Sequence, residues 1–128
     1  MAYLDASAVV KLVLFEAESV ALASTLDEWP IQASSALARV EVLRVAARKS
    51  EAARERARRT VAGLTLLAID AAILDAAAKI EPPGIRALDA IHLASAKSMG
   101  GVLGVVISYD RRMLFGAAAL GLPTLSPE

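Results

Sequence analysis

The sequence predicts an α/β fold, a parallel sheet covered by helices on both faces. Three observations lead there. Short apolar segments alternate with longer helical ones, as in AYLD followed by ASAVVKLVLF, and GVLGVVISYD followed by RRMLFGAAALG. The strand-like segments around Leu66 and Val105 are continuously apolar, which burial on both faces of a parallel sheet requires. Proline and glycine then punctuate the pattern at Pro30, at Gly63 and within EPPG, where helices cannot continue.

Each element follows in order. AYLD is a short strand ending on Asp5, and the helix ASAVVKLVLF begins directly after it. ESVALASTLDEW is a second helix, stopped before Pro30, and PIQAS is a short strand. In SALARVEVLRVAARKS the stripe Leu37, Val40, Leu43 and Ala47 predicts a helix buried along that face. SEAARERARRTVAG is a strongly basic helix with Gly63 as its stop. LTLLAID is a strand ending on Asp70, read as the cap of the helix AAILDAAAKI. The helix IRALDAIHLASA, the strand GVLGVVISYD, the helix RRMLFGAAALG and a short strand LPTLS complete the series.

Composition narrows the classes. The 128 residues suit one domain spanning residues 1–128, with a core of Ala, Val, Leu and Ile because aromatics are only 4%. Lys+Arg and Asp+Glu tie at 14 each, so no global field advertises a nucleic-acid binder. The absence of cysteine excludes disulfides and thiolate metal sites. The first residues lack a basic leader, and Asp5 and Lys11 interrupt their apolar run, which argues against a signal peptide. No uncharged run is long enough to span a membrane, so the expected location is the cytoplasm.

Four carboxylates stand out. Asp5 ends the first strand and Asp110 follows the strand GVVIS; in open parallel sheets ligands bind beyond the carboxyl ends of strands. Glu41 and Asp89 sit in apolar helical contexts, LARVEVL and ALDAIHLA, where an ionised carboxylate needs a partner or a metal. Singly, Asp5, Asp89 and Asp110 also read as helix caps, and Glu41 as a surface residue under a different helix phase. Together they form an oxygen-only ligand set suited to Mg²⁺ or Mn²⁺, which in turn suits hydrolysis of a phosphodiester. A phosphoacceptor role for Asp5 would want a second acid beside it, and LDAS has none.

The segments YLDASAVVKL, SALARVEVLR, RALDAIHLASA and ISYDRRM, in this order, resemble the PIN-domain ribonucleases, specifically the VapC-type toxins of bacterial and archaeal toxin–antitoxin pairs. The resemblance implies a PIN-like three-layer α/β/α sandwich with a mostly parallel central sheet. It implies a Mg²⁺-dependent (or Mn²⁺-dependent) endoribonuclease whose catalytic and metal-binding acids are Asp5, Glu41, Asp89 and Asp110, with Ser7 and Ser108 as hydroxyls beside them. It also implies an RNA substrate, a VapB-type antitoxin partner and a homodimer. The alternative is a non-catalytic PIN-like module that binds RNA or protein.

Arg86, Asp89 and the chain's single histidine, His92, recur every three residues and so predict one helical stripe. Arg86 is then placed to hold the acid cluster or a phosphate. His92 is placed to orient a neighbour, or simply to satisfy itself in the core. Lys11 reads as reaching the crevice or as a solvated helix charge. Eight of the 14 basic residues lie between Arg39 and Arg59. Within them Arg54, Arg56, Arg58 and Arg59 are candidates for RNA binding, against the plainer reading of a solvated helix with internal ion pairs. The apolar stretches VVKLVLF and VALASTLDEW exceed what their helices need to bury, so they predict a groove for a partner helix near Val9, Val13 and Val20.

Overall fold

The computed structural model describes residues 1–81 and 84–128, so Pro82 and Pro83 of the EPPG stop lie outside the described residues. Among the described residues, five strands form one sheet in the order β3-β2-β1-β4-β5, and every pairing is parallel. They are β1 (Ala2–Leu4), β2 (Gln32–Ser35), β3 (Thr65–Leu67), β4 (Val105–Ile107) and β5 (Thr124–Leu125). The α-helices that connect them are α1 (Ala6–Val13), α2 (Ser19–Leu26), α3 (Ala38–Lys49), α4 (Glu51–Ala62), α5 (Ala71–Ala78), α6 (Ala87–Ser98) and α7 (Arg111–Ala119).

Strand alternation sends side chains to two separate cores. Ala2, Leu4, Val105 and Ile107 pack under α1–α4. Tyr3, Ala33 and Val106 pack under α6 and α7. This is the three-layer arrangement the sequence predicts. From β1 the chain builds outward to β2 and β3, then returns to place β4 on the other side of β1. The carboxyl ends of β1 and β4 therefore flank the point where the strand order reverses, and crevices in such sheets form there.

Two expectations fail in detail. In α3 the buried residues are Ala38, Val42 and Ala46, whereas Val40 and Ala47 are exposed. Three buried residues of α4, Ala53, Ala57 and Val61, have the same spacing of four. Small side chains along these rows let the two helices approach closely, so alanine wins the interface over larger residues. Ser50 closes this hairpin, ending α3 and capping α4 by accepting the Ala53 N–H at 3.0 Å. The segment around Leu66 is not buried on both faces: β3 is an edge strand with Thr65 exposed and Leu66 half-buried. Val105, in an inner strand, is buried as expected.

Gly63 does end α4, although in right-handed geometry at φ −83°. Gly104 matters for a different reason. A Cβ there would lie 2.2 Å from the Trp29 ring, so only glycine lets the chain enter β4 past this indole. Its N–H donates to the Met1 carbonyl at 2.8 Å, which sets β4 beside β1.

Candidate active site

Asp5 leaves β1 in extended geometry and caps α1, so its carboxylate is turned back over the first helical turn. Its Oδ1 accepts the Ala8 N–H at 3.1 Å and the Ser7 hydroxyl at 2.6 Å. Its Oδ2 accepts the Ser108 hydroxyl at 2.7 Å. Each serine is itself oriented by a backbone donor: Tyr109 N–H donates to Ser7 Oγ at 2.9 Å, and Asp110 N–H to Ser108 Oγ at 3.0 Å. Asp5 is buried, 4% exposed, and burial raises its carboxyl pKa, while the Ser7 and Ser108 bonds pull it back. Asp110 caps α7, accepting the Arg112 N–H at 2.9 Å. The cap reading and the site reading thus hold together for Asp5 and Asp110, because a strand-to-helix turn puts a cap at the carboxyl edge of the sheet. Asp70, read as a cap alone, caps α5 through the Ile73 N–H.

Asp89 is no cap. It lies in the first turn of α6, half-buried, and α6 begins at Ala87. Its carboxyl is pushed above the ordinary value by burial first, then by the charges of Asp110 and Asp5, and more weakly by Glu41. The four acids are near enough to feel one another. Among the described residues, however, no three or more His, Cys, Asp or Glu side chains are drawn together closely enough to hold a metal ion as they stand.

Glu41 is held from the opposite layer. Its Oε1 lies 2.7 Å from His92 Nε2, and His92 Nδ1 lies 2.7 Å from the Tyr3 hydroxyl. Tyr3 is the residue that sequence reasoning passed over. The available signal was a tyrosine in a fully apolar strand, whose buried hydroxyl needs a partner, in a chain with one histidine. Arg86 departs from the predicted stripe. It precedes α6 in extended geometry and is exposed, so its side chain does not follow the helical row of Asp89 and His92.

A recess of about 400 Å³ has Glu41, alone of the four acids, in its lining, with Ser7, Lys11, Glu16 and Tyr109 among others. Lys11 reaches it with its charge already engaged: the ammonium pairs with Glu18 at 2.7 Å and Glu16 at 3.3 Å, and lies 5.2 Å from the centre of the Tyr109 ring. A larger recess, about 640 Å³, lies between α5 and α6 and touches none of the four acids. Chemistry, not volume, selects the smaller one.

The basic helix is less free than its composition suggests. Arg58 and Arg59 pair with Glu55, and Arg54 with Glu51, all near the surface. Arg56 is half-buried and donates through Nε to the Val13 carbonyl at 3.1 Å, which ties α4 to the end of α1. That bond gives Arg56 a structural place among the four arginines. The partner groove also differs from expectation: Val9 and Val13 are core residues, while Phe15 and Val20 are the exposed apolar side chains, at 92% and 78%.

Comparison with known proteins agrees with this architecture. The PIN domain family model matches residues 2–119. The chain is 46% identical to Ribonuclease VapC46 of Mycobacterium tuberculosis over 126 residues, covering 98% of this chain and 97% of that protein. It is 39% identical to Ribonuclease VapC47 of the same organism, covering 99% and 97%. Among solved structures, M. tuberculosis VapC20, a sarcin-ricin loop cleaving toxin, superposes with a TM-score of 0.74 at 16% identity, covering 99% of this chain and 100% of that one. PAE2754 from Pyrobaculum aerophilum gives 0.57 at 23% identity, covering 91% and 87%. A chain with this sheet order, this serine-cradled aspartate and this degree of identity to VapC ribonucleases belongs to the PIN-domain family, in its VapC branch.

Proposed function

We propose that this protein is a divalent-metal-dependent endoribonuclease, the toxin of a toxin–antitoxin pair, with Asp5, Glu41, Asp89 and Asp110 as its catalytic acids. The observation that carries this reading is the Asp5 carboxylate. It is kept buried on a fork of two serine hydroxyls, and the neighbouring Asp89 carboxyl is itself raised by burial and then by the charges of Asp110 and Asp5. A protein holds such groups together when a cation is to join them.

The donor set fits Mg²⁺ or Mn²⁺. All the donors are hard oxygens, and an open arrangement of carboxylates suits an ion that binds through one or two of them and keeps its waters. When bound, such an ion activates water and offsets the charge that develops on a phosphodiester. The chain's own residues do the rest. Ser7 and Ser108 hold Asp5 in one orientation, Asp110 is fixed by its cap, and Asp89 approaches from α6. Arg54, Arg58 and Arg59 offer guanidinium groups to RNA phosphates once their exposed pairs with Glu51 and Glu55 exchange, which costs little.

The identity to VapC ribonucleases supports a VapB-type antitoxin as partner and a homodimer as the working form. Exposed Phe15 and Val20, at the end of α1 and the start of α2, supply the apolar surface for a partner helix. Among the described residues no helix is long and apolar enough to cross a membrane, which agrees with a cytoplasmic site of action. We also read residues 1–128 as one PIN domain.

The deciding experiment is cleavage of total RNA by the purified protein with Mg²⁺, with excess EDTA, and after Mn²⁺ is added back. Cleavage that stops in EDTA and returns with either metal, and that is lost in Asp5→Asn and Asp89→Asn, supports the proposal. RNA binding without cleavage under every condition would replace it with the non-catalytic reading.

A further inference from the structure

Glu41 and His92 come from helices on opposite faces of the sheet, α3 and α6, yet they meet at 2.7 Å beyond the strand ends. His92 is only 2% exposed, so it is a poor site for direct contact with a large substrate. Both its ring nitrogens are occupied, one by Glu41 and one by Tyr3. Tyr3 is fully buried in the central strand, paired with Ala33 on one side and Val106 on the other, so its ring has a fixed base in the sheet.

With Glu41 ionised and the ring neutral, hydrogen-bond bookkeeping places the protons. A carboxylate oxygen only accepts, so His92 Nε2 must carry the proton that it shares with Glu41. In the neutral ring the other nitrogen is then an acceptor, and the Tyr3 hydroxyl donates to it. A phenol keeps its proton at neutral pH, so the Tyr3 hydroxyl is a donor available to the ring. The ring is thus gripped at both ends, and rotation or a change of tautomer breaks a buried bond.

We propose that His92 is a positioning residue: Tyr3 locks its ring with the proton on Nε2, and that N–H aims the Glu41 carboxylate at Asp5 and Asp89. The inference rests on the reading of Glu41 as a site carboxylate. It adds the device that orients a long, flexible, partly buried side chain. Asp5 has its two serines for this purpose, and Glu41 has the Tyr3–His92 chain. Partners of this kind fix the orientation of ligating carboxylates in metal sites generally.

The test exploits the fact that the chain has one histidine, so its ring nitrogens give one unambiguous set of signals. Long-range proton–nitrogen correlation on the wild-type protein is expected to show Nε2 protonated and Nδ1 bare; a bare Nε2 overturns the proposal. In Tyr3→Phe, which removes one oxygen, the signals are expected to shift toward a tautomer mixture, and an unchanged pattern overturns the lock. For function, Mn²⁺ affinity is measured by titration beside RNA cleavage. His92→Ala is expected to weaken both by roughly 10- to 100-fold, and His92→Gln, which can present an N–H to Glu41, to recover part of each. Glu41→Gln separates the positioning role from the site beneath it. If it loses Mn²⁺ affinity and cleavage while folded His92→Ala loses neither, the positioning role fails and the reading of Glu41 stands. If Glu41→Gln itself loses neither, the site assignment beneath the proposal fails.

Discussion

The Ser108 hydroxyl donates to Asp5 Oδ2 at 2.7 Å, joining residues 103 positions apart at the carboxyl ends of two neighbouring strands. The bond satisfies a buried, charged oxygen. Ser108→Ala leaves that oxygen bare and should cost about 1–3 kcal/mol in urea unfolding. Ser108→Thr keeps the hydroxyl and should cost less. Because the Ser108 bond holds the Asp5 carboxyl down against burial, its loss should move the Asp5 titration upward, as followed by carboxyl NMR. An unmoved titration would mean that Ser7 alone governs Asp5.

The acids also predict a pH dependence of stability. Asp5 and Asp89 both have carboxyls raised above the ordinary value of 3.8, Asp5 by burial and Asp89 by burial and then by Asp110 and Asp5. A carboxyl raised in the folded state stabilises the fold below its unfolded pKa, and that contribution is lost as pH rises through the folded value. Asp5→Asn and Asp89→Asn should therefore match the wild type near pH 3 and melt higher than it at pH 7 without metal. At position 5 Asn retains an oxygen for the Ala8 N–H and the Ser7 hydroxyl but sets its NH2 where Oδ2 accepts the Ser108 hydroxyl, so Asp89→Asn is the cleaner test of charge. Each kcal/mol relieved reads as roughly 2–8 °C in Tm for domains near this size. Variants that melt lower than the wild type at pH 7 would show that the hydrogen bonds outweigh the crowding.

The four arginines of α4 should separate into two groups. Arg56→Gln removes a charged donor from the Val13 carbonyl and should cost about 1–2 kcal/mol of stability. The triple change Arg54→Gln, Arg58→Gln and Arg59→Gln should leave stability nearly unchanged, since its exposed ion pairs contribute little. It should weaken RNA binding and flatten the salt slope by about 0.7 for each phosphate that is no longer neutralised. RNA affinity that falls with Arg56→Gln alone, at full stability, would reverse the assignment.

Gly104→Ala should be among the most damaging small substitutions away from the acids. The new methyl meets the Trp29 ring at 2.2 Å, so the indole must move to admit it. Overpacking of this kind costs typically about 1–3 kcal/mol. The double change with Trp29→Leu should recover part of it, by thermal or urea unfolding.

The sequence was most informative where one residue did two jobs. Asp5, Asp70 and Asp110 each mark a strand-to-helix turn, so element boundaries were legible from the same signal that singles out two of the four proposed site acids. Legibility failed where alanine replaced pattern. In α3, Leu and Val at positions 37, 40 and 43 suggested one face, but close packing against α1 and α4 selects the small row Ala38, Val42 and Ala46. The flanks of the sheet were hidden too, since nothing in LTLLAID says that its strand lies at an edge. Arg86 was misplaced because a spacing of three implies a stripe only once the helix has begun. Which groups His92 joins depends on two elements crossing beyond the sheet, a relation that no local spacing encodes.

Because β4 inserts beside β1 after β2 and β3 have been laid down, the centre of the sheet closes out of chain order. A ribosome working at about 5–20 residues per second needs roughly 5–20 s to travel from Asp5 to Ser108. Late in that interval the emerging polypeptide can form the α1–α4 layer while Asp5 Oδ2 still lacks its donor. Asp89 and Asp110 arrive in the same late stretch of translation as Ser108. A chain ended before β4 therefore keeps the early helices with Asp5, Glu41 and Asp89 but lacks Ser108 and Asp110, so its Asp5 carboxylate never receives the Oδ2 donor.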